Sequence, residues 1–178
     1  FSTDCVFSGL KGNYNEKSII DATDFYGKTK GLGEVNNNRV LTLRSSMIGC
    51  ELDNFTELFE WFKSQKNQTI DGFSNVLYSG ITTIRMAKYI KLIIEKFQDM
   101  NGLYNISSNP ITKYELLKNL ENKFNFNIKI NINENYYSNK VLNSSYFFNY
   151  IKQSQPCWSE LIEEFYDDYK LNIDLYKK

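Results

Sequence analysis

Residues 2–34 read Ser2-Thr3-Asp4-Cys5-Val6-Phe7-Ser8-Gly9, then a polar stretch through Gly12, Tyr14 and Glu16, then Asp21-Ala22-Thr23-Asp24-Phe25-Tyr26-Gly27-Lys28-Thr29-Lys30-Gly31-Leu32-Gly33-Glu34. The opening looks like a strand end running into a loop that Gly9 and Gly12 punctuate. Asp21, Thr23 and Asp24 offer capping side chains, and the spacing predicts a helix from there to about Val35. Ser2-Thr3-Asp4 puts a hydroxyl at a strand end, where open α/β sheets place their ligands, although such a triplet is also common as a turn cap.

Working outward, the same alternation continues. Val40–Leu43 is a β-type run ending at Arg44-Ser45-Ser46. Phe55, Leu58, Phe59 and Phe62 recur at helical spacing, and Val76-Leu77-Tyr78 reads as a strand. Thr83 can cap a helix with Ile84, Ala87, Ile90 and Ile94 on its buried face. Leu103–Ile106 is a strand, and Thr112-Lys113-Tyr114-Glu115 has capping-box spacing before Leu116, Leu117 and Leu120. Ile128, Ile130 and Ile132 alternate with polar residues as a half-buried strand. Pro156 precedes a last helix with Trp158, Leu161, Ile162 and Phe165 inward. Strands alternating with helices make the fold class α/β.

Composition narrows the function. A chain of 178 residues buries enough surface to hold a core without disulfide or metal. Lys+Arg and Asp+Glu both number 21, which argues against nucleic acid or an anionic membrane as partner, since both need a cationic footprint. No run of 18 apolar residues offers a membrane span. The absence of His removes Ser-His-Asp and Cys-His triads and nearly every catalytic zinc site. Cys5, Cys50 and Cys157 are odd in number and far apart, so no metal site or disulfide framework is expected, and a reducing cytoplasm fits best.

Tyr26 and Lys30 stand at i and i+4, on one helix face. A phenol is a poor proton shuttle at neutral pH, and a fixed cation within about 4–6 Å favours its ionised form. Tyr plus Lys one turn apart is therefore a sensible acid/base unit in a protein without His, although the spacing also occurs by chance in many helices. Gly27, Gly31 and Gly33 fall in the same expected helix, where each costs about 1 kcal/mol against Ala. Such a break in local rule marks a site or a close backbone approach, or else a loop.

The whole stretch resembles the active-site block of the extended short-chain dehydrogenases/reductases, and within them the sugar-nucleotide reductases of the dTDP-4-dehydrorhamnose reductase type. The shared pattern is Ser2-Thr3-Asp4, Val6-Phe7 and Gly9, then Tyr14 and Glu16, then Tyr26 through Glu34. Leu43-Arg44-Ser45-Ser46, Gly102–Ser107 and Leu142-Asn143-Ser144-Ser145 continue it in family order. The resemblance implies the C-terminal part of a Rossmann-like fold plus a small α/β substrate-binding region. Residues 1–50 would belong to the NAD(P)-binding domain and 51–178 mainly to the substrate region, with about 76–107 returning to the former. It implies NAD(P)H-dependent reduction of a 4-keto sugar nucleotide, in surface polysaccharide sugar synthesis. Tyr26 would protonate the keto oxygen. Lys30 would lower the phenol's pKa and bind the nicotinamide ribose, and Thr3 would hydrogen-bond the keto oxygen. Asp4 would orient them, with Ser46 and Met47 lining the nicotinamide. NADPH or NADH is the implied cofactor, a nucleotide sugar the substrate, and a homodimer through the Tyr26 helix the implied assembly.

Departures sharpen the reading. Cys5 stands where related dehydratases carry the Glu of their elimination pair, so dehydration is not expected. Met47 replaces a Trp of the rhamnose-type reductases, and Tyr146 an expected Arg. The family's glycine-rich pyrophosphate loop is absent, since the chain begins at about the family's fifth strand. The expectation is an N-terminally truncated protein that, as given, binds NAD(P)H poorly. A non-catalytic binding relative of the same fold, or an inactive remnant, are the alternatives.

Overall fold

The computed structural model describes residues 1–176, a mixed α/β arrangement of short sheets and six helices. Strand β1 (Leu41–Arg44) runs parallel to β6 (Gly102–Asn105), in register from Leu41 opposite Gly102 to Arg44 opposite Asn105. On the other side of β1, Ser2 forms a parallel bridge to Arg44. The opening segment is thus the end of a third parallel strand, as its sequence implied. It turns at once into a 3-10 turn, Asp4–Val6, capped by the Thr3 hydroxyl accepting from Cys5 N at 3.2 Å. Strands β2 (Met47–Ile48) and β5 (Ile81–Thr82) extend the parallel arrangement just beyond β1.

A second group of strands follows. Strand β3 (Thr69–Phe73) lies parallel to β8 (Lys129–Asn133), and β4 (Val76–Tyr78) sits between β7 (Ile111–Thr112) and β9 (Ser138–Asn139). The helices are α1 (Phe25–Leu32), α2 (Leu58–Ser64), α3 (Thr83–Lys96), α4 (Lys113–Phe124), α5 (Ser145–Ile151) and α6 (Trp158–Leu171). The capping box of α4 forms as its spacing predicts: Glu115 N donates to Thr112 Oγ1, and Thr112 N donates back to the Glu115 carboxylate. One hydrophobic cluster runs from Leu43, Ile81 and Ile106 through Leu116 and Leu120 to Leu161 and Phe165. A small satellite of Val6, Phe7, Tyr14 and Leu142 sits under the opening loop, with the Phe7 and Tyr14 rings stacked at 4.1 Å.

Four sequence expectations shift in detail. Helix α1 covers Phe25–Leu32 rather than Asp21–Val35, because Asp24 is the extended capping residue, accepting from Gly27 N at 2.8 Å. Asp21 is used elsewhere: its carboxylate takes both the backbone N–H and the hydroxyl of Ser8, each at 2.7 Å. In α3 the buried face is Met86, Tyr89 and Ile93, while Ala87 and Ile94 are exposed. Tyr89 sets that rotation by packing edge-on against Phe147 and Phe148 of α5. Ile132 is 58% exposed, since it lies opposite Gly72, which offers no side chain to pack against. Phe55 adopts positive φ ahead of α2 rather than joining it.

Candidate active site

The site is assembled where three parallel segments end together: Ser2-Thr3-Asp4, the close of β1 at Arg44-Ser45, and β6 at Asn105. Ser2 N donates to Leu43 O at 2.8 Å and Ser45 N to Ser2 O at 3.3 Å, so the hydroxyl-bearing opening is stitched to β1. Thr3 and Asp4 are buried, and the Thr3 hydroxyl donates to Asp4 Oδ1 at 3.2 Å. Burial pushes the Asp4 carboxyl above its ordinary range, only partly offset by the Thr3 hydroxyl and the charges of Lys140 and Lys113.

Helix α1 crosses this strand end very closely, and Gly27 is the reason it can. A Cβ on Gly27 would collide with the Cys5 carbonyl oxygen and stand 2.6 Å from Ala22 Cβ. Gly31 is crowded by Ile20 at 3.2 Å, whereas a Cβ on Gly33 would make only ordinary contacts, 3.5 Å from Lys30 O and 3.7 Å from Thr29 O, and Gly33 is the helix C-cap, outside α1. Two of the three glycines therefore mark a close approach. Tyr26 and Lys30 both lie within α1, one turn apart. Tyr26 is 56% exposed and its hydroxyl has no partner among the described residues. Lys30 Nζ donates to Phe1 O at 2.9 Å, so its ammonium reaches back across the helix to the strand that carries Thr3.

Ser46 and Met47 follow β1. Ser46 is half-buried, its carbonyl accepting from Ile81 N at 2.9 Å, and Met47 is 44% exposed. An exposed phenol, an ammonium and a hydroxyl are thus carried by the helix and the strand end that meet here. Two concavities among the described residues lie elsewhere. One of about 630 Å³ between α3 and α6 is walled by the Arg85–Glu164 ion pair, 2.5 Å long. Another, of about 720 Å³, opens beside Asn36 and Gly102, at the amino end of β6. Ligands of open α/β sheets gather at carboxyl ends, which favours the Thr3 side.

What sequence inspection did not reveal is the polar network beneath the site. Arg44, 2% exposed, donates from Nη2 to Glu34 Oε2 at 2.6 Å and from Nε to Glu34 Oε1 at 2.8 Å, and Ser2 Oγ donates to the same Oε1 at 2.5 Å. Arg44 Nη1 donates to Asn105 Oδ1, whose amide donates to the carbonyls of Tyr14 and Asn143. Glu16 accepts from Asn105 N, and Ser107 meets Ser144 at 2.6 Å. Ser2, Tyr14, Glu16, Glu34, Arg44, Asn105 and Asn143, from separated pieces of the sequence pattern, thus meet in one network. The only sequence signal was the recurrence of small polar residues after strands.

The sequence matches no protein-family model and no curated protein. Solved structures do match in fold. A hypothetical dTDP-4-dehydrorhamnose reductase from Sulfolobus tokodaii superposes with a TM-score of 0.71 at 24% identity, over 86% of this chain and 58% of its own. dTDP-4-dehydrorhamnose reductase from Yersinia enterocolitica gives 0.77 at 20%, over 94% and 65%. The enzyme of that name from Bacillus anthracis, in complex with NADP, gives 0.76 at 19%, over 94% and 63%. The chain spans about six tenths of the length of these proteins, and over that span it shares their Rossmann-like α/β fold.

Proposed function

We propose that the protein is a nicotinamide-dependent reductase of a 4-keto sugar nucleotide, with Tyr26 as proton donor. The observation that carries this is the Gly27 contact, which holds the helix of Tyr26 and Lys30 against the strand end of Thr3 and Asp4. Tyr26 Oη delivers its proton to the ketone oxygen, and solvent restores it through the exposed side of the ring. In this reading Lys30 swings from Phe1 O, where its ammonium rests, to favour the phenolate and to meet a ribose hydroxyl. Thr3 turns its hydroxyl from Asp4 to the same ketone oxygen. NADPH or NADH, when bound against Tyr26, Lys30, Ser46 and Met47, supplies the hydride for the carbonyl carbon.

In this reading residues 1–50, with about 76–107, form the cofactor side and the remainder the substrate side. The exposed Phe25 and Leu32 of α1 support a homodimer through that helix. A role in making sugars for surface polysaccharide belongs to the same proposal. None of the described helices is long and apolar enough to cross a membrane. The test is reduced-nicotinamide oxidation by the full-length protein with a 4-keto sugar nucleotide, wild type against Tyr26→Phe. Turnover lost in the variant supports the reductase; turnover absent from the wild type, with nucleotide sugar still bound, favours a binding relative instead.

A further inference from the structure

Strand β6 is the outer member of the row that runs Ser2, β1, β6, and part of its free edge is open. Gly102 N and Ile106 N both donate toward β1, to Val40 O at 2.8 Å and to Arg44 O at 2.9 Å. The alternation of a strand therefore turns the N–H and C=O of Leu103 and of Asn105 outward. At Asn105 the edge is filled: its N–H donates to Glu16 Oε1 at 2.9 Å, and its side-chain amide reaches the Asn143 carbonyl at 3.1 Å. The outward groups of Leu103 have no such partner among the described residues, although Leu103 is only 6% exposed. Backbone groups left unpaired at such burial are rare, so the gap marks a place where something else binds.

The cavity of about 720 Å³ lies along this edge, with Gly102, Leu103 and Tyr146 in its wall. Its volume is that of a small-molecule site, roughly 300–1,000 Å³. The polar part of the wall is built from amides. Asn36 makes no side-chain hydrogen bond among the described residues, and its Oδ1 lies 3.3 Å from where a Cβ on Gly102 would stand. Asn101 donates to Asp99 O and Asn143 accepts from Ser145 N, which leaves an acceptor on the first and donors on the second. The Tyr146 ring lies flat on Tyr104, with centres 4.8 Å apart and planes 4° from parallel, so one face is anchored while the side chain stays 56% exposed. Glu16 and Lys17 bring one charge of each sign, and the wall has no net charge.

We propose that this cavity is a binding site for a neutral carbohydrate, separate from the Tyr26 site. A sugar hydroxyl both donates and accepts, which suits a wall of mixed amide donors and acceptors. The C–H face of a pyranose ring lies on the free face of Tyr146, and ring hydroxyls meet the N–H and C=O of Leu103. A phosphate or carboxylate would find no net positive charge here. An added β-strand does not fit either, because Glu16 already holds Asn105 and only one residue of the edge stays open. The proposal uses none of the residues of the reductase reading and does not depend on it.

Titration of the isotope-labelled full chain with maltotriose, cellobiose and N,N′-diacetylchitobiose, followed through its amide NMR resonances, tests this. The expected result with at least one saccharide is movement of the Gly102 and Leu103 amides and of the Asn36 side-chain amide, with Thr3 and Gly27 unmoved. Tyr146→Ala is expected to bind about three- to tenfold more weakly, the scale of one lost apolar ring contact. Asn36→Ala, on an exposed loop where the fold is not at stake, should lose about two- to tenfold, the scale of one hydrogen bond. Tyr146→Phe keeps the ring on Tyr104 and should stay within about twofold of wild type. No movement at the cavity with any of the saccharides overturns the proposal. So does movement centred on Thr3 and Gly27, or thymidine moving the cavity resonances where the saccharides do not. Tyr146→Ala and Asn36→Ala that both bind as wild type does, or a Tyr146→Phe as weak as Tyr146→Ala, overturn it as well.

Discussion

Glu34 and Arg44 face each other in a two-pronged ion pair, at 2.6 and 2.8 Å, with 7% and 2% of their side chains exposed. Glu34 lies two residues past α1 and Arg44 ends β1, so the pair fixes the helix that carries Tyr26 and Lys30 to the central strand. Ser2 adds the neighbouring strand through its bond to Glu34. Removing one partner leaves an uncompensated buried charge. Arg44→Met is therefore expected to cost about 3–5 kcal/mol, and Arg44→Met with Glu34→Leu markedly less. Urea unfolding of the single and double variants measures both.

Gly27→Ala should act on chemistry more than on secondary structure. Alanine is the better helix former, yet its methyl would meet the Cys5 carbonyl, a backbone atom that cannot swing aside. The helix must shift, at about 1–3 kcal/mol for overpacking. A displacement of about 1 Å at the reacting groups costs on the order of a hundredfold in rate. Melting and turnover measured on one preparation separate the two effects. Gly33→Ala, at a helix end where the added methyl would make only ordinary contacts, is the control expected to do neither.

Lys113 makes stability depend on pH in the alkaline range. Burial lowers its folded pKa to about 8, against about 10.4 in the unfolded chain. Between these values the unfolded state holds the proton and the folded state does not, so stability rises with pH through that window. Below about pH 8 the charged form is a burden of up to about 3 kcal/mol. Asp4 and Cys5 on the opening turn and Tyr78 on β4 are the groups that face it, and attraction to Asp4 only reduces the burden. Lys113→Met is expected to stabilise the protein at pH 7, with the gain shrinking toward pH 10. A gain that does not change between those values contradicts the buried-charge account.

The alternating pattern of strands and helices was legible because strand runs such as Leu41–Leu43 and capped helices such as α4 are local signals. The rotation of α3 was not, because both of its faces carry apolar residues and only the rings of Phe147 and Phe148 decide between them. At the site, Tyr26, Lys30, Thr3 and Asp4 stood out as residue types in a pattern, and Gly27 as a broken local rule. Arg44, Asn105 and Ser144 are scattered through the chain, and their meeting depends on strand order, which no local window contains. Lys113 was hidden inside a capping motif. Its oddity appears only once the Tyr78 ring and the absence of an ion-pair partner are seen.

The most direct measurement follows the hydride. The full-length protein is given a 4-keto sugar nucleotide and nicotinamide deuterated at its transferring carbon, and the product sugar is read by mass spectrometry and NMR. The expected result is deuterium on the carbon that bore the ketone, with Tyr26→Phe reducing its formation by about two to four orders of magnitude while leaving nucleotide-sugar binding and melting temperature unchanged. Unlabelled product, or label transferred equally well by Tyr26→Phe, would contradict the account.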